Sequence, residues 1–135
     1  MKKIKFFCIL LFMNFSLQSY CQDSIHYSVP TGELHGLVPE YKAAVDIKTL
    51  KNRITIYNGY NHSYTVLVSM NQQDWYQIGM PNMQYALFNI KKFYAKIFSA
   101  DSTAFVSEVD VGCIYGLEFN STLKKWQIVM KQQIK

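Results

Sequence analysis

From Arg53 onward the chain repeats one pattern: a short run rich in β-branched and aromatic residues, followed by a few turn residues. Such runs favour strands, because branched and aromatic side chains pack well on a pleated surface. Eight runs follow one another at roughly ten-residue spacing, and they read RITIY, SYTVLVSM, WYQI, MQYALF, FYAKIFS, AFVSEV, CIYGLEF and WQIVM. Many short strands at regular spacing are typical of a sandwich or barrel. We therefore expect an all-β, antiparallel β-sandwich of about 7–8 short strands.

The residues between the runs, and the alternation within them, agree with this fold. Asn58-Gly59 is a dipeptide typical of tight hairpin turns, and the prolines at positions 30, 39 and 81 lie outside all eight runs. The alternation at period two also predicts a C-terminal hairpin in which each strand turns one set of residues to the same side. The two sets are Tyr115, Leu117 and Phe119, and Trp126, Ile128 and Met130.

The segment that precedes Arg53 does not follow the pattern. Pro39 followed by an acidic residue is typical of a helix start, and apolar residues then recur at three- and four-residue spacing. The same stretch also fits a strand with Val45 and Ile47 on one side. We expect a short helix or an irregular crossover near 39–50.

Residues 1–21 have the pattern of a secretory signal peptide: a cationic start, an apolar run from Phe6 to Leu17, and a short polar tail. A membrane-spanning helix needs about 20 apolar residues, and this run has about a dozen. We therefore expect no integral membrane span after cleavage. Residues 22–135 are then a single sandwich domain, long enough to bury a core without a metal.

Three alternatives are open for Cys21. Signal peptidases prefer small side chains one and three residues before the cut, and Ser19-Tyr20-Cys21 fits, so that a cut after Cys21 removes it. A cut after Ser19 instead leaves Cys21 free to pair with Cys113. Lipidation of Cys21 would make an outer-membrane lipoprotein, although the residue before it is not the small one that such proteins carry. We expect removal, and an exported periplasmic or extracellular protein.

Charge and histidine spacing argue against several classes of partner. Three of the fourteen basic residues lie in the signal segment, which leaves eleven basic against nine acidic residues and a net charge of +2. This balance gives no reason to expect a nucleic acid or an anionic membrane. His26, His35 and His62 lack the close spacing of metal ligands. We expect no metal and no cofactor.

No catalytic motif is present in the sequence: there is no G-x-S-x-G elbow and no glycine-rich phosphate loop. Glu108, Asp110 and Glu118 would resemble a glycoside hydrolase pair if they faced one another across a hairpin near Gly112. Alternation, however, turns Glu108 and Asp110 to one outward side, where they are solvated. Cys113 has no neighbouring histidine or basic residue, so we expect it to be buried in a strand. We predict no enzymatic activity.

Aromatic side chains near turns are the feature that favours binding. The candidates are Tyr57 and Tyr60 beside the Asn58-Gly59 turn, together with Trp75 and Trp126. Tyr and Trp combine a flat apolar face with a hydrogen-bonding edge, which suits stacking on sugars or anchoring a protein. The alternative is that these rings fill the core. At least one of Trp75 and its neighbour should do so, because adjacent strand residues face opposite ways.

Two triplets, Asp23-Ser24-Ile25 and Asp101-Ser102-Thr103, resemble the pattern at which certain Gram-negative bacteria O-glycosylate exported proteins. Ser24 and Ser102 are therefore candidate modification sites. These features together favour an exported, non-catalytic binding module of a bacterial cell envelope, either an accessory subunit or an immunity-type protein, whose partner is another envelope or secreted protein. The alternatives are a small carbohydrate-binding sandwich that stacks a glycan on Tyr or Trp rings, and a hydrolase.

Intact mass measurement of the exported protein distinguishes the three fates of Cys21. We expect the mass of a chain that begins at Gln22, with one free thiol and no lipid. A chain from Tyr20 that is lighter by the hydrogens of one disulfide would show a Cys21–Cys113 bond. A chain from Cys21 that carries a diacylglyceryl group would show a lipoprotein and would contradict the expected location.

Overall fold

The computed structural model describes residues 24–99 and 104–135. Ten short strands form two five-stranded sheets that pack as a sandwich. In chain order the strands are β1 (Ser24–His26), β2 (Glu40–Lys42), β3 (Ile54–Asn58), β4 (Tyr64–Ser69), β5 (Asp74–Met80), β6 (Gln84–Phe88), β7 (Lys92–Ile97), β8 (Ser107–Asp110), β9 (Cys113–Asn120) and β10 (Lys125–Gln133). Two 3-10 turns, Gly32–Leu37 and Ile47–Leu50, precede and follow β2. The predicted all-β sandwich is confirmed.

The eight predicted runs correspond to β3 through β10. The sequence does not reveal β1 and β2, because each has three residues and is too short for an alternating pattern. The predicted signal segment 1–21 and the candidate Ser102 lie outside the described residues, whereas Ser24 is exposed at the start of β1. In the two described ranges, no helix has the length and apolar character that a membrane crossing requires.

The strand order is β1-β5-β4-β7-β8 in the first sheet and β10-β9-β3-β6-β2 in the second sheet. Most neighbours are antiparallel, as predicted, but β1 pairs with β5 and β3 pairs with β9 in parallel. The sheets are therefore mixed. Parallel neighbours need a long connection, and the chain between β3 and β9 passes through the first sheet before it returns.

The core lies between the two sheets, because alternation sends one side of each strand inward. The predicted C-terminal hairpin is confirmed: β9 and β10 pair antiparallel, with Leu117 opposite Ile128 and Phe119 opposite Trp126. Residues opposite one another share a face of the sheet, so the two predicted sets point to the same side. The largest fully buried core side chains are Phe88, Phe93, Leu37, Ile54, Ile56, Met80, Ile97, Val66, Val68 and Val109.

The segment 39–50 forms a crossover that contains an edge strand and one 3-10 turn. β2 and β3 both run antiparallel to β6, one on each side of it, so the chain between them must pass back across the sheet. The Asp46 carboxylate accepts a hydrogen bond from the backbone N–H of Lys48 at 3.1 Å. This bond caps the 3-10 turn Ile47–Leu50. The expected helix is thus reduced to a single turn within an irregular crossover.

Hydrogen bonds join the two sheets along both long sides of the sandwich. On one side the backbone N–H of Phe105 donates to the carbonyl of Trp126 at 3.1 Å. On the other side the Tyr41 hydroxyl donates to the carbonyl of Gly79 at 2.5 Å. Partial burial raises the pKa of Tyr41, so this hydroxyl keeps its proton. The bond from Phe105 occupies a backbone carbonyl of the edge strand β10, which limits the pairing of this strand with other chains.

Asn58, the last residue of β3, holds the turn that follows it. Its side chain is fully buried, and its amide nitrogen donates to the carbonyls of His62 at 2.8 Å and Met80 at 3.0 Å. Its Oδ1 accepts from the backbone N–H of Tyr60 at 2.9 Å. Met80 ends β5, so these bonds also join β3 to the first sheet.

The substitution Asn58→Ala should destabilise the fold by about 2–4 kcal/mol, because it leaves buried backbone groups without partners. Asn61→Ala is the matched control, since Asn61 is exposed in the same turn and should change the free energy of unfolding by less than about 0.5 kcal/mol. Urea unfolding of both variants measures the difference. Equally small effects would show that the Asn58 side chain does not hold this turn.

Candidate functional site

The structure places the four predicted aromatic residues on three different surfaces. Tyr57 lies on the outer face of the second sheet, because Ile56 beside it points into the core. Tyr60 and Trp126 meet at one end of the sandwich, with ring centroids 5.5 Å apart. Trp75 lies on the outer face of the first sheet. Tyr57 and Tyr60 line one common depression, which Trp75 and Trp126 do not border, so the four residues do not form one site.

Trp75 faces outward, since its neighbour Tyr76 packs against the core, yet its side chain is only 1% exposed. The Lys96 ammonium lies 4.2 Å from the centroid of the Trp75 ring, and Ile25 is its partner on the neighbouring strand β1. A cation over an indole face is a stabilising contact. Trp75 is thus a packing residue, and its ring is not open to a ligand.

Tyr60 and Trp126 belong to an aromatic cluster that also contains Tyr64 and Phe119. The Trp126 ring centroid lies 4.9 Å from Tyr64 and 5.4 Å from Phe119, and its plane makes an angle of 79° with Tyr60. In tilted and edge-to-face pairs, each ring covers part of the face of its neighbour. Three of these rings also pack against the core. The cluster closes this end of the sandwich and offers no row of coplanar rings.

The outer face of the second sheet carries a second aromatic pair. Tyr57 on β3 lies directly opposite Tyr85 on β6, and the two ring centroids are 4.3 Å apart with an interplanar angle of 31°. On its other side Tyr57 pairs with Gly116 of β9. Because glycine has no side chain, the sheet surface next to the tyrosines leaves room for a side chain from a neighbouring strand.

A β-bulge in β10 forms the opposite side of this opening. The register between β9 and β10 shifts between Met130 and Gln132, so Lys131 and Gln132 both reach the outer face, although regular alternation would separate them. The alkyl chain of Lys131 packs over Gly116: a Cβ built on that glycine would lie 3.0 Å from the Lys131 Cε. The Lys131 ammonium is held by Glu118 at 2.7 Å.

We call the resulting depression the groove. It has a volume of about 430 Å³ and lies between the crossover and β10. The residues that line it are Val45, Ile47, Tyr57, Gly59, Tyr60, Tyr85, Ile114, Tyr115, Leu117, Lys131 and Gln132, with Gly116 at the floor. Most of this lining is apolar, and the charged group stands at the rim. Such a surface can bind an apolar group that carries a polar or charged neighbour.

The carboxylates considered for hydrolysis do not come together. Glu108 and Asp110 are exposed on β8 of the first sheet, as alternation predicted, and Glu108 pairs with Lys92. Glu118 lies on the second sheet and pairs with Lys131. The pair of facing carboxylates that a glycosidase uses is therefore not formed by these three residues.

His26 contacts residues of the neighbouring strand β5, and Cys113 lies in the core. His26 stacks on Tyr76 with ring centroids 4.9 Å apart, and its Nε2 lies 3.4 Å from Asp74. Cys113 is buried, as predicted, with 6% of its surface exposed. Within residues 24–99 and 104–135, no three His, Cys, Asp or Glu side chains cluster in the way that metal ligands do.

The shifted pKa values belong to groups that join strands. Burial raises the pKa of Tyr115 to about 12, and its hydroxyl accepts a hydrogen bond from the backbone N–H of Asp110 at 2.8 Å, which links β9 to β8. Hydrogen bonds from Asn71, and then from His26, lower the pKa of Asp74. The His26–Asp74 contact holds β1 on β5. These shifts reflect contacts between strands.

Comparison of the chain with models of known protein families, with curated proteins and with solved structures found no match. Of the residues that line the groove, Tyr57 and Tyr60 are predicted as binding residues from the sequence. A glycine inside a strand does indicate close approach of another group, so Gly116 carries a usable signal. Tyr85 and Lys131 have no such signal in the sequence. Tyr85 reaches the groove because β6 pairs with β3, and Lys131 reaches it because of the bulge in β10.

The two tryptophans should differ in their access to solvent. The variant Trp126→Phe keeps only the buried Trp75, so acrylamide should quench its tryptophan fluorescence poorly. In Trp75→Phe, which leaves the half-buried Trp126, quenching should be clearly stronger. Circular dichroism of both variants checks that the fold is kept. Equal quenching in two folded variants would contradict the placement of Trp75.

Proposed function

We propose that this chain is an exported, non-catalytic binding module of the bacterial cell envelope, and that it binds a partner protein through the groove. The observation that carries this proposal is the groove itself, a concavity of about 430 Å³ on the outer face of a hydrogen-bonded sheet. Binding sites are typically concave and mostly apolar, with volumes of about 300–1,000 Å³ and a few polar groups that orient the ligand.

The lining favours a polypeptide over a sugar. Lys131 and Gln132 are the polar side chains that line the groove apart from the tyrosine hydroxyls, and a sugar needs many hydrogen-bond partners for its hydroxyls. The rings of Tyr57 and Tyr85 lean on each other at 31° and do not form a flat platform. An apolar side chain of a partner, in contrast, gains free energy by filling such a pocket.

Export is supported by the sequence of residues 1–21, which has the pattern of a signal peptide. Two roles depend on binding another protein in the envelope: that of an accessory subunit of an envelope complex, and that of an immunity-type protein that blocks an incoming toxin. In both cases the groove would hold a segment of the other protein.

The substitution Gly116→Leu should weaken partner binding by about tenfold or more, because the new side chain fills the floor of the groove. The fold should be kept, since the added Cβ meets the flexible end of Lys131. The probe is a library of random peptides displayed on phage and selected on the immobilised exported protein. Affinities of the selected peptides for the wild type and the variant are then measured by fluorescence anisotropy.

Gly79→Leu is the matched control. Gly79 lies in β5 of the first sheet, and a Cβ added there meets nothing within 4 Å, so this variant should bind like the wild type. Thermal unfolding shows whether both variants are folded. Selection of no peptide by the wild type, or equal binding by both leucine variants, would contradict binding through the groove.

A further inference from the structure

The groove does not end at the tyrosine pair. A second depression of about 560 Å³ adjoins it and shares Ile47 and Gln132 with it. Three lysines line this second depression: Lys48, Lys51 and Lys135. A continuous channel therefore runs along the outer face of the second sheet, between the crossover and β10, from an aromatic end to a lysine end.

The lysine end is positively charged. In the described ranges, Lys48, Lys51 and Lys135 form no ion pair within 4 Å, unlike Lys131, which is neutralised by Glu118. The nearest carboxylate in sequence, that of Asp46, accepts the backbone N–H of Lys48 in capping the 3-10 turn. All three lysines are exposed, so their ammonium groups can meet a ligand without a change in the fold.

We infer that the segment held in the channel is an extended acidic peptide of the partner protein, with one aliphatic or aromatic side chain as its anchor. This inference rests on the proposed function and specifies the chemistry of the partner. The anchor fills the space beside Tyr57, Tyr85 and Gly116. Aspartate or glutamate residues next to it face Lys48, Lys51 and Lys135. Complementary charge of this kind sets the direction and the specificity of binding.

Three other anionic ligands fit the channel less well. A nucleic acid or a membrane surface needs a broad basic face, and the chain after residue 21 carries a net charge of only +2. An acidic sugar would meet the same lysines, but the aromatic end offers it few hydrogen-bond partners. An apolar anchor joined to acidic residues uses both ends of the channel.

The peptide selection described above tests this inference. The selected peptides should combine an apolar residue with neighbouring acidic residues, and raised salt should weaken their binding, because exposed charges are screened. The double substitution Lys48→Glu with Lys51→Glu should lower the affinity by about tenfold or more. The matched control is Lys91→Glu with Lys124→Glu, which makes the same change in net charge at exposed lysines outside the channel and should leave the affinity within about twofold.

The outcomes separate the inference from the proposed function. Peptides that are neutral or basic, or that bind both double variants equally, but that lose binding to Gly116→Leu, would overturn the acidic partner and leave the groove in place. If no selected peptide loses affinity in Gly116→Leu, both the acidic partner and binding through the groove would be overturned. A glycan array is tested in parallel. If no acidic peptide is selected, but an acidic glycan binds the wild type and loses binding both in Gly116→Leu and in the double variant Lys48→Glu with Lys51→Glu, the occupant of the channel is a glycan and the inferred peptide is overturned.

Discussion

The second sheet depends on β3, which is hydrogen bonded on both sides, antiparallel to β6 and parallel to β9. One side of this strand sends Ile54 and Ile56 into the core, where both are fully buried. The other side presents Tyr57 between Tyr85 and Gly116. The same pairing that closes the core therefore builds the groove, and the buried side chain of Asn58 fixes the end of this strand against the first sheet.

Much of the fold is predictable because it depends on local patterns. The eight longer strands follow from β-branched and aromatic runs with turn residues between them, and alternation alone orients β9 and β10. The parallel pairing of β3 with β9 is not predictable in this way. The two strands are separated by five others in the chain, and no local pattern reports which strand a chain returns to.

The site is less predictable, since it depends on neighbours across strands. Trp75 and Tyr57 have the same appearance in the sequence: each is an aromatic residue of a strand and each faces outward in the fold. Lys96 lies over the Trp75 ring, whereas Tyr57 borders a glycine. The difference in exposure comes from these cross-strand neighbours, and in β10 a bulge further alters which side chains face the groove.

The crossover lies against part of the outer face of the second sheet. Thr55 and Leu87 point outward, yet they are 0% and 5% exposed, and Leu50 of the crossover is itself fully buried. The uncovered part of this face is bordered by the Tyr57–Tyr85 pair. The segment that covers the sheet also supplies Ile47, Lys48 and Lys51 to the channel. The part of the chain with the weakest sequence pattern thus defines the shape and the charge of the candidate site, as is common for loops carried by a rigid scaffold.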